Sequence, residues 1–136
     1  GDDPLTVDTP AGRIGLTICY DVRFPELYRA LVDDGATVFT LPSAFTAVTG
    51  AAHWHTLLRA RAIENLACVV GVNRVGSDAR GLDYSGDSLA IAADGNLIRD
   101  MENENGAARV ILSGAALQSY REGFPCQLDA DSFQLE

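Results

Sequence analysis

The chain has 136 residues, 19 acidic and 10 basic, for a net charge of −9 and a pI near 4.5. That surplus of carboxylates argues against a phosphate-backbone binder, which needs clustered cations to displace counterions, and 47% hydrophobic with 21% charged residues is the composition of one folded domain rather than a disordered chain. All ten basic residues are arginine, so any chemistry that needs a lysine must draw it from outside these residues.

Leu5 to Asp8 alternates weakly, and Thr9-Pro10-Ala11-Gly12 is a turn signal leading into the apolar run Arg13 to Ile18, which predicts a hairpin with a buried second strand. After Cys19-Tyr20-Asp21, Pro25 suits a first helical turn, Leu27, Tyr28, Leu31 and Val32 share one helical face, and Gly35 ends the helix. Thr37 to Leu41 reads as a buried strand stopped by Pro42, followed by a polar loop from Ser43 to Gly50. From Ala51 to Leu66, the spacing of Trp54, Leu57, Leu58, Ala62, Ile63 and Leu66 predicts a long amphipathic helix. Ala67 to Val75 is β-branched and apolar, hence a strand, and Gly76 to Gly86 is a Gly, Asp and Ser-rich loop. Ser88 to Ala92 and Asn96 to Arg99 flank the hairpin turn Ala93-Asp94-Gly95, Arg109 to Leu112 is a last strand, and the tail from Ser113 holds one short helix. Strand, helix, strand, helix, strand and then a meander is an α/β layered pattern.

No apolar run reaches the roughly 18 residues of a membrane span, and no charged start precedes an apolar core as in a signal peptide. Cys19, Cys68 and Cys126 are an odd count without a C-x-x-C pair, which favours reduced thiols over a disulfide framework or a zinc site. The expectation is a soluble cytoplasmic protein. The chain opens Gly-Asp-Asp-Pro and its only methionine is Met101, so residue 1 reads as a processed or cut end.

Cys19 stands at a strand-to-helix junction, where one turn can present both a nucleophile and outward-pointing amides for an oxyanion. The alternative is a buried thiol acting as a small hydrophobe, the role expected of Cys68 and Cys126. A thiol with pKa near 8.5 is only about 3% thiolate at pH 7, so a catalytic cysteine needs a base or a strong local field. His53 and His55 lie two apart on the predicted helix and read as helix-face histidines. Asp21 and Glu26 flank the cysteine and suit helix capping or pairing with Arg23. Arg23 suits either that pairing or a bidentate grip on a substrate carboxylate.

Ile18-Cys19-Tyr20-Asp21-Val22-Arg23-Phe24-Pro25-Glu26-Leu27 resembles the nucleophile segment of the nitrilase, or carbon–nitrogen hydrolase, superfamily. Pro42 to Thr46, Thr49 to Trp54, Leu58 to Asn65 and Tyr84 to Ser88 follow in the family's order. Asn73 to Asp78 and the tail Tyr120 to Pro125 with Asp129 to Phe133 are similar to the bacterial omega-amidases, while Pro42 to Trp54 looks as much like the amidases of deaminated glutathione.

The resemblance implies half of an α-β-β-α sandwich, a mixed sheet with two main helices on one face, and a glutamate, lysine and cysteine triad without metal or cofactor. In that triad the glutamate is general base, the cysteine attacks the amide carbon, and the lysine with the amide after the cysteine steadies the oxyanion. Only Cys19 and the Tyr20 amide map onto this chain; the family's glutamate and lysine lie upstream of the nucleophile, where 18 residues stand here. Residues 1–136 are therefore expected to be the C-terminal portion of such a domain, completed by a separate N-terminal segment. The resemblance further implies Ser43, Phe45 and Thr46 as pocket lining, against a merely connecting loop, and a small carboxylate-bearing amide as substrate. It implies a homo-oligomer built on the helices around Phe24 to Asp34 and His53 to Asn65, with Arg59, Arg61 and Glu64 as a salt-bridge set there. A non-catalytic binding or assembly module that keeps the fold is the competing expectation; neither a membrane nor a nucleic acid is an expected partner.

Overall fold

The computed structural model describes residues 3–131. The turn at Thr9-Pro10-Ala11-Gly12 joins β1 (Leu5–Thr9) to β2 (Gly12–Leu16) as an antiparallel pair. Then come a 3-10 turn over Cys19–Arg23, α1 (Pro25–Asp33), β3 (Val38–Ser43), α2 (Ala47–Asn65) and β4 (Cys68–Asn73). A short hairpin of β5 (Val75–Ser77) and β6 (Asp83–Ser85) precedes β7 (Leu89–Ile91), β8 (Leu97–Asp100) and α3 (Gly114–Gly123).

The main sheet has the order β1-β2-β3-β4-β7-β8. β2, β3 and β4 are mutually parallel and the outer strands antiparallel. Both parallel crossovers step the same way across the sheet, and because such connections are right-handed, α1 and α2 fall on one face. The strands divide accordingly: Phe39, Leu41, Val69, Leu89 and Ile91 join Leu31, Trp54 and Leu58 in the buried core. At Gly71 the side chains of α2 press against the sheet, since a Cβ there would lie 2.7 Å from Leu58 Cδ1 and 2.9 Å from Trp54 Cζ2.

The paired positions of the opposite face, Leu5 with Leu16 and Val7 with Ile14, carry apolar side chains with much less cover. Leu5 is 57% exposed, Leu16 42% and Val72 55%. α3 covers one end of this face, held by Arg121, whose Nε donates to the Leu66 carbonyl at 2.7 Å.

Tyr28 anchors α1 to the sheet. Its hydroxyl donates to Thr17 Oγ1 at 3.0 Å, which donates to the Thr40 carbonyl at 3.0 Å. Its ring meets Phe39 edge-on with centroids 4.9 Å apart. Burial pushes the phenol pKa up to about 12, against the smaller opposing effects of the Thr17 hydrogen bond and Arg61. A raised folded-state pKa means stability that is complete below pH 10 and lost as pH climbs toward 12. Tyr28→Phe is expected to abolish most of a pH 10–12 stability loss of roughly 2 to 3 kcal/mol, read from urea unfolding midpoints across that range.

Several sequence expectations are corrected. Pro42 does not stop β3: the strand runs to Ser43 with Pro42 paired to Val72, an arrangement that places a residue without an N–H inside the ladder only where no donor is needed. α2 begins at Ala47 rather than Ala51 because Thr46, in extended conformation, already starts the helix. The loop from Gly76 to Gly86 contains the β5–β6 hairpin, with Asp78 accepting the Arg80 and Leu82 amides. Arg109 to Leu112 forms no strand. Ser132 and Phe133 of the resembling tail lie outside the described residues.

Candidate active site

The carboxyl ends of β2, β3 and β4 lie along one edge of the sheet, the edge at which open α/β sheets gather their reactive groups. Three segments meet there: the Cys19 turn, the Ser43 to Thr46 loop and Asn73.

The Thr17 amide holds the end of β2 to Thr40 at 3.0 Å, and the chain then turns abruptly. Cys19 has φ 46, a left-handed backbone that costs a non-glycine residue about 1 to 3 kcal/mol unless its surroundings impose it. They do so through Asp21 and Val22. The Asp21 carboxylate accepts the Ile18 amide at 2.8 Å, and the Asp21 amide donates to the Ile18 carbonyl at 3.0 Å. Val22 is fully buried, with its carbonyl accepting from Arg61 Nε at 2.9 Å. The Cys19 side chain is partly buried against the core, and the Tyr20 amide lies in the first turn, where helical amides have no intrahelical acceptor. The Tyr20 side chain is 63% exposed.

Of the two roles open to Asp21, the structure has it capping the turn. Arg23 has no carboxylate at ion-pairing distance among the described residues. Its guanidinium lies instead 5.1 Å from the Tyr20 ring centroid and 5.3 Å from that of Phe45, with both terminal nitrogens 3.3 Å from His53 Nδ1. Its Nε is buried without a hydrogen-bond partner among the described residues.

Phe45 is buried, 5.0 Å from Trp54 between centroids, and Asn73 fixes its backbone. The Asn73 Oδ1 accepts the Phe45 amide at 2.8 Å, and Nδ2 donates to the Phe45 carbonyl at 3.4 Å. Ser43 Oγ is buried with no partner among the described residues. Thr46 stands at the start of α2, its hydroxyl 3.2 Å from that of Thr49, and bridges to Tyr84 of β6. Arg23, Phe45 and Tyr20 are thus brought together, while Thr46 belongs to the helix entry and the β5–β6 hairpin.

Three supporting residues escape a linear reading. Arg61, read from sequence as part of a helix salt-bridge set, does pair with Glu64 at 2.7 Å, and it is also only 5% exposed, covers the Tyr28 ring and holds Val22. Arg59 is outside this set among the described residues. Asn73 clamps the Phe45 loop, and His53 meets Arg23. A buried polar residue ending an apolar strand is the one sequence signal that singles out Asn73.

His55 lies 3.7 Å from Asp100, and with Asp87 their ligand-type atoms lie within 4.8 Å of one another; the group is half-exposed and the His55–Asp100 pairing accounts for it. Among the described residues no helix is long and apolar enough to cross a membrane. Cys68 is buried and its thiol pKa is pushed up chiefly by that burial, which suppresses the thiolate. Cys68→Ala is expected to cost about 1 kcal/mol of packing in a denaturation midpoint and to leave the reactivity of Cys19 toward iodoacetamide unchanged.

Comparison with known proteins follows the same lines. The carbon-nitrogen hydrolase family model matches residues 1–122. The chain is 40% identical over 125 residues to a deaminated glutathione amidase of Yersinia enterocolitica, covering 92% of this chain and 44% of that one. It is 42% identical over 137 residues to omega-amidase YafV of Escherichia coli, covering 99% and 52%. The structure of XC1258 from Xanthomonas campestris, a CN-hydrolase superfamily protein with an arsenic adduct in its active site, superposes with a TM-score of 0.90 at 37% identity, over 100% of this chain and 53% of that one. The chain spans about half the length of these relatives. With a mixed sheet carrying two helices on one face and a family match over nearly its whole length, the chain belongs to the carbon–nitrogen hydrolase, or nitrilase, family.

Proposed function

We propose that residues 1–136 are the C-terminal portion of a cytoplasmic amidase that hydrolyses the amide bond of a small, carboxylate-bearing amide through a thioester on Cys19. The observation that carries this reading is the Cys19 turn itself: a non-glycine residue at φ 46 opening a short helix, with an arginine four residues on that no carboxylate neutralises among the described residues. The thiolate adds to the amide carbon, and the Tyr20 amide donates to the oxyanion. The carbon–nitrogen bond then breaks, with a proton delivered to the departing ammonia, and water cleaves the thioester to release the acid and the thiol.

Arg23 meets the substrate's remote carboxylate, Phe45 walls the pocket, Ser43 Oγ supplies an uncommitted hydroxyl, and Thr46 lines its rim. The general-base glutamate and the lysine belong to a separate N-terminal portion, in keeping with a chain that contains no lysine. Glu64 is not that base, since it is bound to Arg61 at 2.7 Å. The same portion covers the open apolar face of the sheet, and the assembled protein is a homo-oligomer through α1 and α2.

The test is ammonia release from a panel of omega-amides by this chain, alone and after addition of an N-terminal segment of a homologous amidase. Turnover that requires both pieces supports the reading. Absence of turnover with both, in a complex that forms, would favour a non-catalytic binding module.

A further inference from the structure

Arg23 is held in an unusual way for a surface cation. Two aromatic rings, Tyr20 and Phe45, lie within 5.3 Å of it, and the polar contact at its end is an imidazole nitrogen, His53 Nδ1, at 3.3 Å from both Nη1 and Nη2. The carboxylates nearest in sequence are not used by Arg23: Asp21 accepts the Ile18 amide, and neither Asp21 nor Glu26 makes an ion pair among the described residues. A carboxylate in the place of His53 would hold the guanidinium equally well but would cancel the charge that a substrate anion needs. A neutral imidazole accepts hydrogen bonds without doing so. The backbone that carries His53 is seated by the adjacent Trp54, which is fully buried and whose indole donates to the Asp87 carbonyl at 2.7 Å.

We propose that His53 is a positioning residue that holds the Arg23 guanidinium between Tyr20 and Phe45, ready for a substrate carboxylate, while leaving its charge unspent. The inference rests on the reading of Arg23 as the carboxylate grip. It requires the imidazole to carry its proton on Nε2, since Nδ1 must keep its lone pair to accept. Without His53, the long arginine side chain is free to swing to Asp21 or Glu26, and the carboxylate site is lost without any change at Cys19.

The experiment titrates succinate into the full chain and follows the arginine Nε and histidine ring signals by 1H–15N NMR, for wild type, Arg23→Leu, His53→Ala and His53→Asn. The expected results are an unprotonated Nδ1 in the wild type, loss of binding in Arg23→Leu, and binding weaker by about tenfold in His53→Ala, the scale of one hydrogen bond to a charged group. His53→Asn, whose Oδ1 replaces the Nδ1 acceptor, is expected to bind within about threefold of wild type. His53 is solvent-exposed, and an unchanged Trp54 indole signal verifies that each variant is folded. Equal binding by wild type and His53→Ala, an asparagine variant as weak as the alanine one, or a protonated Nδ1 would each overturn the proposal. Undiminished binding by Arg23→Leu, or no succinate binding by the wild type, would overturn the reading of Arg23 and this proposal with it; a result in which only the His53 variants depart from expectation leaves the Arg23 reading standing.

Discussion

Cys19→Ala is expected to lower ammonia release by the assembled amidase by at least about a thousandfold, because no second nucleophile can take over a step that forms a covalent bond. The variant should remain folded. Alanine inherits the same left-handed backbone at φ 46, so the strain is unchanged and the cost is the loss of one sulfur packed at the margin of the core, within about 1 kcal/mol. Cys19→Gly sharpens the comparison. Glycine adopts this conformation without penalty, so this variant is expected to be at least as stable as Cys19→Ala and equally inactive, as measured by urea unfolding beside an ammonia assay. That pairing of higher stability with lost activity is the mark of a position strained for function. A Cys19→Gly variant less stable than Cys19→Ala would show that the turn is not strained.

The largest loss of stability is expected from Trp54→Ala, about 3 to 5 kcal/mol by chemical denaturation. Trp54 is fully buried, and its side chain does three things at once. It packs over Gly71, where a Cβ would lie 2.9 Å from Trp54 Cζ2; it meets the Phe45 ring at a tilt of 52° with centroids 5.0 Å apart; and its indole nitrogen satisfies the Asp87 carbonyl at 2.7 Å. Trp54→Phe keeps most of the packing and loses the hydrogen bond, for an expected cost of about 1 to 3 kcal/mol from the orphaned carbonyl. A small effect from alanine would mean that α2 does not owe its seat on the sheet to this residue. The packing also reaches the candidate site, since Phe45 is one of the two rings against the Arg23 guanidinium.

The periodic elements are legible in the sequence because each has a single physical cause. The face of Leu27, Tyr28, Leu31 and Val32 writes α1, Gly35 at φ 91 ends it, and Asp94-Gly95 turns the β7–β8 hairpin with Asp94 accepting the Asn96 amide. Apolar content without pairing misleads at Arg109 to Leu112, where a β-branched run finds no partner strand. Proline misleads at Pro42, since the rule against it concerns a donor that this position does not need. The strand-to-helix turn at Cys19 is readable because cysteine, proline and the helix start are adjacent in the chain. The supports of that segment are not: Arg61 reaches Val22 across 39 residues, Asn73 reaches Phe45 across 28, and His53 reaches Arg23 across 30. Contacts of that separation are set by the packing of α2 against the Cys19 turn and by the parallel register of β3 and β4, neither of which a local pattern encodes.

The absence of lysine is a fact of composition, and the fold separately leaves Leu5, Leu16 and Val72 exposed on one face of the sheet. In the proposed function, that face is where the N-terminal portion sits.

Whether Cys19 carries the acyl intermediate is read by acid-quenched peptide mass mapping of the chain, assembled with the complementary N-terminal portion and supplied with a turning-over omega-amide. An acyl mass increment is expected on the peptide containing Cys19, none on those containing Cys68 or Cys126, and none anywhere in Cys19→Ala. An increment that persists in Cys19→Ala, or that resides on another cysteine, would contradict that role for Cys19.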